Sequence, residues 1–181
     1  MEDDYIVKRR DNCRLCQSRD LQLVLQLAQT PIGDDYLTKN QLNKVQEIYP
    51  MSLVLCSACG HLQLLDIVNP KIIYKDYIYK TSSSITLDNH FKDYAEDAIK
   101  RVNISENSFV VDIGSNEGIL IKHFKNNKMR ILGVDPAVHI AKRATEQGIP
   151  TISSFFNPEV AQKIKQEYDQ ADIITANNVF A

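Results

Sequence analysis

Hydrophobic residues follow two rhythms along the chain, and the change comes near Asn107. Before it, short and partly alternating apolar stretches predict strands at Leu21 to Leu27, Met51 to Leu55 and Leu62 to Ile67. Within Asp35 to Ile48, residues Leu37, Leu42, Val45 and Ile48 recur at mostly helical spacing and Pro50 closes the segment, so a helix is expected there. Leu87, Phe91, Tyr94, Ala95, Ala98, Ile99 and Val102 mark the buried face of a longer helix, with Ser82, Ser83 and Ser84 as N-cap candidates.

After Asn107 the pattern becomes strand then helix, repeated. Strands are predicted at Ser108 to Ile113, Arg130 to Val134, Thr151 to Ser153 and Ala171 to Ala176. Helices are predicted at Gly118 to Asn126, Ala137 to Gln147 and Asn157 to Tyr168, the last with Asn157 as cap and Pro158 at its first position. Apolar strands alternating with helices imply a parallel sheet covered on both faces. The fold class is therefore α/β: a small N-terminal unit over residues 1–69, a helical connector over 70–104, and a Rossmann-like unit over 105–181. The chain stops at Asn177-Asn178-Val179-Phe180-Ala181, which would leave the fourth strand as an open edge. A truncated sheet is expected, with protection by dimerisation as the alternative.

Composition narrows the class without choosing a function. The chain has 181 residues, 44% hydrophobic and 24% charged, which suits an ordinary globular protein. A net charge of −2 and the lack of a basic block argue against nucleic-acid binding. The first residues, MEDDYIVKRR, do not form a signal peptide, and no apolar run approaches the roughly 20 residues of a membrane span. A cytoplasmic protein, monomeric or weakly dimeric, is expected.

All four cysteines fall in two pairs, Cys13-x-x-Cys16 and Cys56-x-x-Cys59. Each spacing lets two thiolates grip one ion from a tight turn, and two such knuckles supply the tetrahedral ligands of a structural zinc site. A redox pair and unliganded core cysteines are the alternatives. Gly60 suits a turn that needs positive φ. His61 is taken as a surface histidine.

The stretch Val110-Val111-Asp112-Ile113-Gly114-Ser115-Asn116-Glu117-Gly118 runs from a strand through a glycine loop into a helix. It matches neither G-x-G-x-x-G nor a Walker loop. Asp112 just before the first glycine disfavours a pyrophosphate and suits a ligand with a positive amino group, such as S-adenosylmethionine. Asp135 ends the second strand, where an acid bonds the ribose hydroxyls of an adenosine cofactor. Phe155 and Phe156 follow the third strand, where an adenine is often flanked. Asn177 and Asn178 lie at the carboxyl end of the fourth, where ligands bind in such sheets. A dinucleotide such as NAD is the competing ligand.

Taken together, these motifs resemble the C-methyltransferases that act on nucleotide-linked deoxysugars. The resemblance runs through Cys13-x-x-Cys16, Cys56-x-x-Cys59-Gly60-His61-x-Gln63, and Tyr77-Ile78-Tyr79-Lys80-Thr81-Ser82-Ser83-Ser84 with His90 following. It continues through Asp112 to Gly118, Gly133-Val134-Asp135-Pro136-Ala137, and Asn177 to Ala181. It implies a class I methyltransferase with an N-terminal zinc-binding domain, methylating a sugar carbon through an enolate. It also implies that Tyr77 or Tyr79 is catalytic. A histidine that usually follows the position of Ala181, a second catalytic histidine and a C-terminal sugar-nucleotide domain are absent from these 181 residues. An N-terminal portion that binds cofactor weakly and does not turn over is therefore expected.

The resulting cofactor set is Asp112, Gly114, Ser115, Asn116, Gly118, Asp135, Pro136, Phe155 and Asn177, and the metal set is Cys13, Cys16, Cys56 and Cys59. The expected acceptor is a nucleotide sugar. A non-catalytic zinc and Rossmann-like binding module, or a methyltransferase for another small acceptor, remain as alternatives.

Overall fold

The computed structural model describes residues 5–33, 35–74 and 85–179. The chain forms two compact units, Met1–Ile78 and Tyr79–Ala181. The expected connector over 70–104 spans their boundary, with one of its helices in each unit.

In the first unit, β1 (Val7–Arg9) pairs antiparallel with β5 (Asp66–Val68). A three-stranded antiparallel sheet has the order β2 (Leu21–Thr30), β3 (Tyr49–Cys56), β4 (Leu62–Leu64). The predicted strand Leu62 to Ile67 is split at Leu65. Its N–H donates to the Ser52 carbonyl at 2.9 Å and its carbonyl accepts from Arg10 N–H at 2.8 Å, so the chain changes sheets there. The short helix α1 (Pro70–Tyr74) follows.

The helix predicted within Asp35 to Ile48 does not form. Only a 3₁₀ turn, Lys39–Gln41, is present, closed by Thr38 N–H donating to Gln41 Oε1 at 2.9 Å. Leu42, Val45 and Ile48 stay exposed, Val45 at 97%. A short helix needs a surface on which to bury its apolar stripe, and among the described residues nothing covers Leu42, Val45 or Ile48. Pro50, expected as a helix stop, lies inside β3.

The second unit follows its sequence pattern closely. Strands β6 (Phe109–Ile113), β7 (Arg130–Asp135), β8 (Thr151–Ser153) and β9 (Ile173–Thr175) form a parallel sheet of order β8-β7-β6-β9. The helices are α2 (Ile85–Val102), α3 (Ile119–Asn126), α4 (Val138–Glu146) and α5 (Pro158–Tyr168). Asn157 caps α5, its side chain accepting from Val160 N–H at 2.8 Å. The serines proposed as caps of α2 lie outside the described residues.

Alternation along the strands divides the core. Val110, Ile131 and Ile173 pack with Ala95 of α2, Leu120, Ile121 and Phe124 of α3, and Ala144 of α4. Phe109, Val111, Leu132 and Val134 pack with Ile164 of α5. Strands buried on both faces read as continuous apolar runs, which is why the sequence marked them so plainly. The sheet order reverses at β6, with β7 on one side and β9 on the other. Such a switch point, here at the carboxyl ends of β6 and β9, is where open α/β sheets usually bind ligands. Among the described residues, no helix is long and apolar enough to cross a membrane.

Candidate functional site

The cysteine pairs meet in the first unit. The four Sγ atoms lie within 4.8 Å of one another, with Cys13–Cys59 at 3.7 Å and Cys16–Cys56 at 3.5 Å. A tetrahedral zinc ion with Zn–S bonds near 2.3 Å requires S···S edges of about 3.8 Å, so the donor set fits zinc. The knuckles share one geometry. Gln17 N–H donates to Cys13 O at 3.0 Å, and Gly60 N–H donates to Cys56 O at 2.8 Å. Each turn closes on a left-handed residue, Gln17 at φ 64° and Gly60 at φ 74°.

Gln63, buried on β4, ties the first knuckle in place. Its Oε1 accepts from Arg14 N–H at 2.9 Å and its Nε2 donates to Asn12 O at 3.1 Å. The Cys13 thiol is drawn down to about 6, chiefly by the Cys16 backbone N–H. At Cys59 the His61 backbone N–H pulls down, but hydrogen bonds with the other three thiols and desolvation push it up to about 12. The neighbouring thiols thus favour ionisation of Cys13 and hold back that of Cys59, a conflict that a divalent cation relieves. His61 is not a surface residue. Its carbonyl accepts from Cys56 N–H at 2.9 Å, and its half-buried ring holds Nε2 without a partner among the described residues.

In the second unit, the glycine loop lies between β6 and α3. Asp112 is 4% exposed, and its Oδ1 accepts from Thr175 Oγ1 at 2.6 Å. Burial pushes its carboxyl up to about 7, with the Thr175 hydroxyl opposing and the Asp135 charge adding. Asp135 is also buried and raised by burial, against the pull of the Ala137 and Asn116 N–H groups and of His139. Its Oδ2 accepts from Asn116 N–H at 2.8 Å and its Oδ1 from Ala137 N–H at 2.9 Å. Asp135 therefore anchors the loop.

The loop's backbone N–H groups from Gly114 to Gly118 are all spent inside the chain. Gly114 and Ser115 N–H donate to Val134 O at 2.8 and 3.2 Å, and Gly118 N–H to Ser115 O at 2.8 Å. Asn116 N–H goes to Asp135, and Glu117 N–H goes to Asn116 Oδ1 at 2.9 Å. A phosphate cradle needs such groups free. This loop instead presents an acidic floor.

Gly114 (φ 69°) and Gly118 (φ 76°) are left-handed. A Cβ on Gly114 would collide with Val179, and one on Gly118 would lie 2.6 Å from Ile149 Cγ2. Asn116 is left-handed too, at φ 50°. Ser115 Oγ is buried without a partner among the described residues. Pro136 and Phe155 are half-buried and Asn177 is exposed in the turn after β9. The structure thus brings the loop, Asp112 and Asp135 together, with Pro136 directly after Asp135. Tyr77 and Tyr79 lie outside the described residues. Sequence reasoning missed Thr175 and Val179, since nothing local links them to residues more than 60 positions earlier. The one available signal was a threonine closing the apolar run Ile173-Ile174.

Residues 13–74 match the family model described as "Putative zinc binding domain". Over 176 residues the chain is 27% identical to "C-methyltransferase NovU" of Streptomyces niveus, covering 97% of this chain and 42% of that protein. The chain thus spans about two-fifths of the length of that curated relative. Among solved structures, the plantazolicin methyltransferase BamL is 24% identical with a TM-score of 0.37, over 51% of this chain and 34% of that one. The YcgJ protein of Bacillus subtilis is 21% identical with a TM-score of 0.37, over 49% and 38%.

Proposed function

We propose that this chain is the zinc- and cofactor-binding portion of an S-adenosylmethionine-dependent C-methyltransferase acting on a nucleotide-linked keto-deoxysugar. The observation that carries the cofactor reading is the acidic floor of a loop whose five N–H groups, from Gly114 to Gly118, are already bonded. Such a loop repels a pyrophosphate and suits a cationic ligand. S-adenosylmethionine, when bound, supplies a methyl group on a sulfonium centre. In this reading Asp112 faces its positive end, Asp135 its ribose, and Gly114 and Gly118 keep the loop close to it. Ser115, Asn116, Pro136, Phe155 and Asn177 complete the lining.

The acceptor assignment is supported by similarity to the Streptomyces niveus protein and by the zinc domain that precedes the cofactor unit. On such an acceptor, loss of the proton beside the keto group gives an enolate, and its oxygen needs a hydrogen-bond donor. Tyr77 or Tyr79 is the proposed donor. The four-thiolate site has no open position and is assigned a structural role.

The test is methyl transfer from labelled S-adenosylmethionine to a nucleotide-linked 4-keto-deoxysugar by the full-length gene product. A product bearing a new carbon-bound methyl group is expected. Transfer to oxygen or nitrogen, or to an unrelated acceptor alone, overturns the sugar-carbon assignment.

A further inference from the structure

Pairing of β6 with β9 sets Asp112 directly opposite Thr175, at the point where the sheet order reverses. Both residues are 4% exposed. Among the described residues, Thr175 is the hydrogen-bond partner of this carboxylate, and it engages Oδ1 alone. The other oxygen, Oδ2, is left as an acceptor at the carboxyl end of the sheet.

We propose that Thr175 is a positioning residue of the cofactor site: its hydroxyl fixes the Asp112 carboxylate in one orientation and favours its charged form, leaving Oδ2 for the cationic end of the ligand. This inference rests on the S-adenosylmethionine reading above. Asp135 on β7 adds like charge beside Asp112, and burial penalises the same charge. His139 acts on Asp135, and Glu117 of the loop lies 3.7 Å from Arg143 of α4. His123 of α3 is bonded to Asp88 of α2 at 3.2 Å. Of these groups, Thr175 is the one that donates to Asp112. Without its hydroxyl the carboxylate has no donor to hold its charge, and a proton takes that place.

Carboxyl-carbon NMR titration of Asp112 and calorimetric binding of S-adenosylmethionine test this in wild type, Thr175→Val and Thr175→Ser. Thr175→Val is expected to raise the Asp112 midpoint by about one pH unit. It is also expected to weaken cofactor binding about tenfold at neutral pH, with the deficit shrinking as pH rises and the carboxylate ionises. Thr175→Ser keeps the hydroxyl and is expected to restore both values.

A folded Thr175→Val protein with an unchanged midpoint and unchanged affinity overturns the proposal. So does a Thr175→Ser protein whose midpoint moves, and that comparison decides the matter where the valine variant does not fold. Absence of binding by wild type overturns the cofactor reading itself, a distinct result from equal binding by wild type and Thr175→Val.

Discussion

A buried aspartate is costly to the protein that carries it, and Asp112 makes that cost measurable. Its folded pKa of about 7 stands above the ordinary 3.8. Between those values the folded chain keeps a proton that the unfolded chain has released, so this group makes stability fall as pH rises from about 4 to 7. Asp112→Asn removes the charge but can still accept from Thr175. It is expected to stabilise the protein by about 2 kcal/mol at pH 7.5, with the advantage gone at about pH 4, while cofactor binding is lost. Thermal melting across pH checks the first part. A variant less stable than wild type at pH 7.5 contradicts it. Ser115→Ala separates ligand from fold in a similar way. Its hydroxyl has no partner among the described residues, so stability should hold or rise, by up to about 1 kcal/mol. A drop in cofactor affinity would then identify the ligand as the missing partner.

Among the elements, what was legible in the sequence was what is encoded locally. The acid-glycine-glycine loop, the Asn157-Pro158 helix start and the two cysteine pairs each sit within a few residues. Gly60 at the second knuckle was visible for the same reason. The matching left-handed residue of the first knuckle, Gln17, was not, because glutamine carries no preference for that conformation. The helix expected within Asp35 to Ile48 failed because periodicity reports a stripe but not whether anything covers it. Gln63 belongs to this scale as well, since it joins β4 to the first knuckle. Gln63→Ala strands the Arg14 N–H and leaves the Asn12 carbonyl with Arg10 Nε alone. It should cost about 2 kcal/mol and weaken zinc retention, read by competition with a chromophoric chelator. Retention equal to wild type would mean the knuckle holds without it.

For the molecule as a whole, the division into two units gives a metal prediction. Structural zinc binding is folding energy, so a strong chelator should unfold Met1–Ile78 and leave the parallel sheet of the second unit intact. Hydrogen exchange after chelation should show protection lost in β3 and retained in β6 and β7. Uniform loss or uniform retention would contradict a zinc-dependent first unit.

On the proposed reading, the loop after β6 accepts a cationic adenosyl ligand and refuses a phosphate-bearing one. Calorimetric titration of the chain with S-adenosylmethionine and, separately, with NAD tests it most directly. Binding of S-adenosylmethionine that disappears in Asp112→Asn is expected, with no binding of NAD. Binding of NAD with none of S-adenosylmethionine would contradict it.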